Sequence, residues 1–255
     1  MFDVKALKAD FGKAARQYDD NAHLQRHVRA HCVSIVQAYW PPEDHILDLG
    51  CGTGKLGLET EGFGWNITGA DMAFGMCEVA EGREDRVVTA DAAKLPFKDA
   101  LFDGVFSSLL LQWTQSPKDV LAEMARVLKP DGVAVFATLV AGTLKELAES
   151  FAQVDDAEHV SPFVNSDTIR EELANAGFAV LGYEESTVIH YYPDLIGLMR
   201  SLKLIGAVNK HERRRRGMMT APQLARVEEY YSRTYGKNGE LPMRWQVLYV
   251  LVQRS

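Results

Sequence analysis

Cysteine is scarce in this sequence. Cys32, Cys51 and Cys77 are its only three, scattered over 255 residues without a paired spacing. That excludes a disulfide framework and a cysteine-built metal knuckle, and it suits a reducing compartment. No apolar stretch approaches the ~18 residues of a spanning helix. Met1-Phe2-Asp3-Val4-Lys5 does not open like a secretion signal. These absences predict a soluble, cytoplasmic protein with no membrane partner. Positive charge is in deficit, with Lys+Arg 28 against Asp+Glu 35 and a net charge of -7, so a broad nucleic-acid surface is not expected. Internal repeats and low-complexity linkers are also missing. What is present, 47% hydrophobic and 25% charged residues, is the composition of a globular chain with one large domain or two small ones.

The chain reads as alternating strands and helices. Ile46-Leu47-Asp48-Leu49 is a short apolar run bounded by turn residues, the pattern of a buried strand. Further strands are predicted at Asn66–Gly69, Arg86–Thr89, Phe102–Ser107 and Val133–Thr138, with Phe178–Ile189 and Trp245–Val252 later. The clearest helix is Pro117–Leu128, with apolar residues at Val120, Leu121, Met124 and Val127 and a Pro-stopped turn after it. Such alternation predicts an α/β fold with a mostly parallel sheet covered by helices on both faces. Residues 1–42 read as an N-terminal helical lid, 43–194 and 241–255 as the core, and 195–240 as a helical cap inserted before the last strand.

Chemistry concentrates after the first strand. A Gly-rich turn, Gly50-Cys51-Gly52-Thr53-Gly54, leads into a helix whose unpaired N–H groups suit an anionic or carboxylate-bearing ligand. It is not a phosphate-cradling loop, because Leu56 follows Lys55 where Ser or Thr is needed. It is not a dinucleotide fingerprint either, because Lys55 holds the third glycine's position. Asp71 ends the next strand about twenty residues on, where a carboxylate takes ribose hydroxyls. Asp91 follows the third strand, placed to accept from an adenine amino group, and Asp48 precedes the glycines. All three would line the carboxyl edge of one sheet, the usual ligand crevice of such folds. Cys51 reads as a small buried residue, not a nucleophile.

Leu47-Asp48-Leu49-Gly50-Cys51-Gly52-Thr53-Gly54, Gly69-Ala70-Asp71-Met72, Ala90-Asp91-Ala92 and Arg126-Val127-Leu128-Lys129-Pro130-Asp131-Gly132 together resemble the motifs of class I S-adenosylmethionine-dependent methyltransferases. The resemblance implies a Rossmann-like fold and S-adenosylmethionine as cofactor. It implies that Gly50, Cys51 and Gly52 pack against the cofactor and that Asp71 and Met72 flank the ribose. Asp91 and Ala92 would contact the adenine, and Leu109 would lie near the methionine end. A narrower set is similar to the malonyl-acyl-carrier protein O-methyltransferases of biotin synthesis. It runs from Phe11-Gly12-Lys13-Ala14-Ala15 and Tyr18-Asp19 through Leu24-Gln25, Leu111-Gln112-Trp113, Asp155 with His159 and Leu204-Ile205-Gly206-Ala207 to Leu241-Pro242. Met243-Arg244-Trp245-Gln246 departs from that family, where a Thr-Tyr-Glu stretch is more usual.

The resemblance implies methyl transfer to the free carboxylate of malonyl-acyl-carrier protein. A carboxylate is already ionised at neutral pH, so no general base is needed and catalysis reduces to positioning. Tyr18 and Gln25 are expected to fold over the cofactor, and Trp113 to face the substrate. From Leu195 to Arg244 there are eleven Lys/Arg against four Glu, so basic charge concentrates in the cap of an acidic chain. Arg200 or Lys203 is expected to meet the malonyl carboxylate, and Arg213, Arg214, Arg215 and Arg216 to dock the acidic carrier protein. His23, His27 and His31 recur every fourth residue with no carboxylate or thiol to complete a set, so a solvent-facing stripe is expected, and no metal. Two readings stay open beside this one, a small-molecule methyltransferase of the same fold and a non-catalytic S-adenosylmethionine-binding subunit.

Overall fold

The structure, a computed structural model, describes Phe11, Asp19 and residues 22–204 and 219–255. Five strands run parallel: β1 (His45–Leu49), β2 (Asn66–Asp71), β3 (Arg86–Thr89), β4 (Phe102–Ser108) and β5 (Leu128–Leu139). β6 (Phe178–Tyr192) and β7 (Leu241–Arg254) complete a seven-stranded sheet in the order β3-β2-β1-β4-β5-β7-β6. β7 is antiparallel to both its neighbours, β5 and β6. The sheet is therefore mostly parallel, and its order reverses at β1 and β4, the crevice where such folds take ligands.

Helices cover both faces. α1 (His23–Val36) buries Leu24, Val28, Cys32 and Val36, one residue per turn, against one face. α2 (Lys55–Glu59) and α3 (Phe74–Ala80) follow β1 and β2. α4 (Pro117–Val127) buries Val120, Leu121, Met124 and Val127 against the other face. Its start is fixed by Ser116, whose hydroxyl accepts from the Asp119 N–H, and by Pro117 in the first turn. α5 (Lys145–Phe151), α6 (Ser166–Asn175), α7 (Leu195–Leu204) and α8 (Ala221–Tyr235) complete the described helices. Among the described residues, no helix is long and apolar enough to cross a membrane.

The described part of the predicted cap is joined to the core. Val227 and Tyr231 of α8 and Leu198 and Leu202 of α7 share one hydrophobic cluster with Trp245 and Tyr249 of β7. Tyr231 donates its hydroxyl to the Pro242 carbonyl at 2.6 Å, and Tyr235 hydrogen-bonds Glu149 of α5. The histidines do not act as one stripe. His23 and His27 are exposed, whereas His31 lies edge-on to Tyr249 at 4.4 Å. Among the described residues, no group of three or more His, Cys, Asp or Glu is placed to hold a metal ion.

Candidate active site

The carboxyl ends of β1, β2 and β4 open onto a divided cleft. One cavity, about 90 Å³, is lined by Asp19, Gln25, Asp48, Gly50, Cys51 and Gly52. A second, about 250 Å³, is lined by Asp71, Met72, Asp91, Ala92, Leu110 and Trp113 among others. Gly50 belongs to both, so the two are halves of one trough. A third hollow, about 50 Å³, lies on the far side of Trp113 and is walled by Gln112, His159, Phe163, Leu202 and Trp245.

The turn's backbone shows why glycine is needed there. Gly52 has φ +55 and Gly54 φ +70, a left-handed region that costs residues with a Cβ. A Cβ on Gly52 would meet nothing within 4 Å, so its missing side chain leaves room beside the cavity it lines. The N–H groups expected to be free are largely spent inside the protein. Gly50 and Cys51 both donate to the Ala70 carbonyl, Gly54 donates to Cys51, and Gly52 donates to Asp71 Oδ2 at 3.1 Å. Asp71 also accepts from the Ala73 N–H at 2.7 Å. Its carboxylate is thus fixed by two backbone donors at the wall of the second cavity. Asp91 accepts from the Ala93 N–H at 3.0 Å and is exposed at the other end of the trough, next to buried Ala92.

Most of the predicted cofactor residues come together here: Asp48, Gly50, Cys51, Gly52, Asp71, Met72, Asp91, Ala92 and Gln25 all line the trough. Gln25 presents a buried Oε1 with no hydrogen-bond donor among the described residues, an acceptor awaiting a ligand N–H or O–H. Leu109 is placed differently. It is buried at φ +57, its carbonyl accepts from Gln112 Nε2 at 2.6 Å, and its neighbour Leu110 lines the cleft instead. Trp113 faces both the second and third cavities, and Phe11 packs edge-on against it at 5.6 Å. Arg200 and Lys203 are exposed on α7, and neither lines the third hollow, where Leu202 does. Tyr18 and Arg213, Arg214, Arg215 and Arg216 lie outside the described residues.

Two acidic residues that sequence reasoning had not assigned prove central. Asp19 accepts from the Thr53 hydroxyl at 2.6 Å and from Arg83 Nη1 at 3.0 Å, and it pairs with Lys55 Nζ at 3.1 Å. Burial alone would raise its pKa, but these donors outweigh burial and hold it below the ordinary carboxylate value. Asp19 is thereby fastened to the Gly-rich turn. Glu84, between α3 and β3, is buried beside Asp48. Burial pushes both carboxyls well above the usual range, with mutual repulsion adding to it at Glu84. Asp19 stood within a quoted motif and was findable. Glu84 sits in the charged run Arg83-Glu84-Asp85-Arg86, which reads as a solvated loop.

The arrangement suits a long, zwitterionic nucleoside ligand. Such a ligand would lay its base toward Asp91 and Ala92 and its ribose toward Asp71, with Asp48 and Gln25 available to a cationic amino group and Arg26 and Lys55 to an anionic one. A methyltransferase domain pattern matches residues 47–136, the segment that builds this trough. Over nearly its full length the chain is similar to malonyl-acyl-carrier protein O-methyltransferases. The Serratia marcescens protein is 35% identical across 98% of this chain and 96% of its own length. The Laribacter hongkongensis protein is 36% identical across 97% and 88%. Among solved structures, geranyl diphosphate C-methyltransferase from Streptomyces coelicolor, in complex with S-adenosyl-L-homocysteine, is 15% identical with a TM-score of 0.56, covering 91% of this chain and 80% of that one. At that identity the likeness shows the fold alone, since one fold serves many acceptors. The near-full-length relatives decide the narrower question: the chain belongs to the malonyl-acyl-carrier protein O-methyltransferase family, among the S-adenosylmethionine-dependent methyltransferases.

Proposed function

We propose that the chain transfers a methyl group from S-adenosylmethionine to the free carboxylate of malonyl-acyl-carrier protein, giving the methyl ester. The observation that carries the reading is the likeness to enzymes of that name over almost the whole chain, including the segments beyond the common cofactor fold. S-adenosylmethionine supplies an electrophilic methyl on a sulfonium; a carboxylate oxygen forms the new C–O bond as the C–S bond breaks, and S-adenosylhomocysteine leaves.

This chain's residues then have three tasks. Asp71, Asp91 and Ala92 hold the nucleoside, and Asp48 and Gln25 the amino-acid end, so that the methyl is presented at a fixed point. Trp113 separates the cofactor trough from the small third hollow, which is about the size of a short acyl head, enough for roughly four waters. The hollow's walls are mainly apolar: Leu139, Leu144, Leu147, Phe163 and Leu202 exclude water, while His159, Gln112 and Trp245 supply polar edges. His159 is held in place by stacking on Phe151 at 4.2 Å and by a 2.8 Å contact between Nε2 and Asp155. No base is required, because the acceptor arrives ionised.

The basic segment between α7 and α8 is the proposed dock for an acidic carrier protein, with Arg213–Arg216 its densest part. Arg200 and Lys203 stand on the same side in sequence and are exposed, so they join the docking surface more readily than the acyl hollow. Three buried free cysteines are consistent with a reducing compartment, and we place the reaction in the cytoplasm.

The test is direct. Purified protein is incubated with labelled S-adenosylmethionine and malonyl, succinyl or acetyl thioesters of acyl-carrier protein and of coenzyme A. Label should enter a base-labile methyl ester on the malonyl thioester, faster on the carrier protein, and salt or charge reversal at Arg213–Arg216 should erase that preference. No label on any malonyl thioester would refute the assignment.

A further inference from the structure

Glu84 is a buried carboxyl with no task in the chemistry above. It is 8% exposed and Asp48 is 4% exposed. The fold has made space for its carboxyl with one glycine, and a second lets its chain approach. A Cβ on Gly69 of β2 would lie 1.8 Å from Glu84 Oε2, while a Cβ on Gly57 of α2 would lie 1.9 Å from the Arg83 carbonyl oxygen and 3.0 Å from Glu84 Cγ. Gly69 is the register partner of Asp48 in the parallel β1–β2 pair. The Glu84 carboxyl therefore lies over Gly69 and against Asp48, below the wall of the cofactor trough that Asp48 lines.

No N–H or O–H group among the described residues donates to either oxygen of Glu84. The surrounding ionisable groups do not neutralise it. Asp48, Asp85 and the Cys77 thiol all oppose its ionisation. Cys51 is also adjacent, its Sγ 2.9 Å from the same Gly69 Cβ position. Arg29 on α1 favours an anion at Asp48 but is itself held in a two-pronged bond to Glu59, 2.7 and 2.5 Å. Two anions in contact in such a place would be prohibitively costly. The one hydrogen bond open to Glu84 is to Asp48, and it requires a proton.

We propose that Glu84 is a neutral carboxylic acid at working pH, and that its O–H donates to Asp48 and holds that carboxylate as the oriented anion that receives the ammonium group of the cofactor's methionine end. The proposal rests on the S-adenosylmethionine reading of the trough. Glu84 is a positioning residue, acting through Asp48 and touching no substrate. An acid here does what an amide would also do, which makes the idea separable from a merely structural role. Glu84→Gln keeps a donor to Asp48 without a proton to lose; Glu84→Ala removes it.

S-adenosylhomocysteine binding is measured by titration calorimetry at pH 7 and pH 9 for the three proteins, alongside infrared spectra of the unliganded proteins. Glu84→Gln should bind within about threefold of wild type at pH 7, and Glu84→Ala about tenfold or more weaker, the usual worth of a hydrogen bond to a charged group. At pH 9 the ratio of wild-type to Glu84→Gln affinity should be no lower than at pH 7, because burial and Asp48 push the Glu84 carboxyl up to about 11 and it keeps its proton there. Wild type should show the carbonyl stretch of a protonated carboxyl that Glu84→Gln lacks. Absence of that band, a Glu84→Gln protein bound more than tenfold more weakly, or a Glu84→Ala protein bound as tightly as wild type would each overturn the proposal. If Glu84→Ala does not fold, the band and Glu84→Gln still decide. Failure of the wild type to bind S-adenosylhomocysteine, with the band present, would overturn the cofactor assignment instead.

Discussion

The Asp19 anchor makes a quantitative claim. Its carboxylate receives Thr53, Arg83 and Lys55, all within 3.1 Å, and the side chains of Asp19, Lys55 and Arg83 are 21%, 31% and 28% exposed. At that exposure each contact is worth about 0.5–1 kcal/mol, so the set is worth roughly 2 kcal/mol. Asp19→Ala removes all of it, and Asp19→Asn keeps a partner for Thr53 while losing the charge. Asp19 lines the first cavity with Gln25, so the loss should appear mainly in cofactor binding, as a Kd for S-adenosylhomocysteine raised by roughly tenfold and at most about thirtyfold. The pH dependence has a definite sign. The folded pKa of Asp19 lies below its ordinary value of 3.8, so the anchor's contribution is complete above that ordinary value and is lost only as pH falls through the lower, folded one. Between pH 6 and pH 9 the ratio of wild-type to variant affinity should therefore be constant. Calorimetric titration of the three proteins over that range is the assay. An Asp19→Ala protein within twofold of wild type, or a ratio that drifts across the range, would refute the reasoning.

Other perturbations follow from single contacts. Asp71→Ala deprives Gly52 and Ala73 of their acceptor and the ribose of its carboxylate, and should weaken S-adenosylhomocysteine by about a hundredfold, with Asp71→Asn intermediate, measured by the same titration. Gly69→Ala drives a Cβ into Glu84 Oε2, an overpacking worth about 1–3 kcal/mol and a thermal midpoint lower by roughly 2–12 °C. Adding Glu84→Ala should recover part of that loss, so the two changes are non-additive in a thermal-denaturation cycle. Trp245→Phe removes a buried N–H that has no partner among the described residues, so its midpoint should stay within about 4 °C of wild type, unlike the 3–5 kcal/mol loss of a full core truncation to Ala.

The parallel sheet was legible because β1, β2 and the inner part of β5 are apolar runs between turn residues, and because α4 carries a cap, a stripe and a nearby Pro in sequence. β5 nonetheless starts at Leu128 and takes in Lys129-Pro130-Asp131-Gly132, which reads as a turn. The cofactor trough was legible for a related reason. Strand-end carboxylates in a doubly wound fold must gather along one edge, so Asp48, Asp71 and Asp91 were bound to meet if the strands were right. That Leu110 and not Leu109 lines the second cavity depends on a left-handed backbone at φ +57, and nothing in a Leu-Leu-Leu run announces it.

Glu84 marks the sharper limit of reading by pattern. In the run Arg83-Glu84-Asp85-Arg86 each charge looks solvated, and local spacing offers no reason to single one out. Two facts remote in sequence bury it: Gly69 lacks a side chain on β2, and Gly69 stands in register with Asp48 on β1. That glycine has an ordinary local explanation, and only the register between strands turns its gap into a socket beside Asp48. The same register brings a second carboxyl to the one strand-end acid whose charge the cofactor needs. A carboxyl placed there has to be neutral for Asp48 to stay anionic, because Asp48, Asp85 and Cys77 all oppose its ionisation. The polarity of the cofactor's amino-acid end is thus set by a residue that touches no ligand, on a segment that composition and periodicity would assign to the surface.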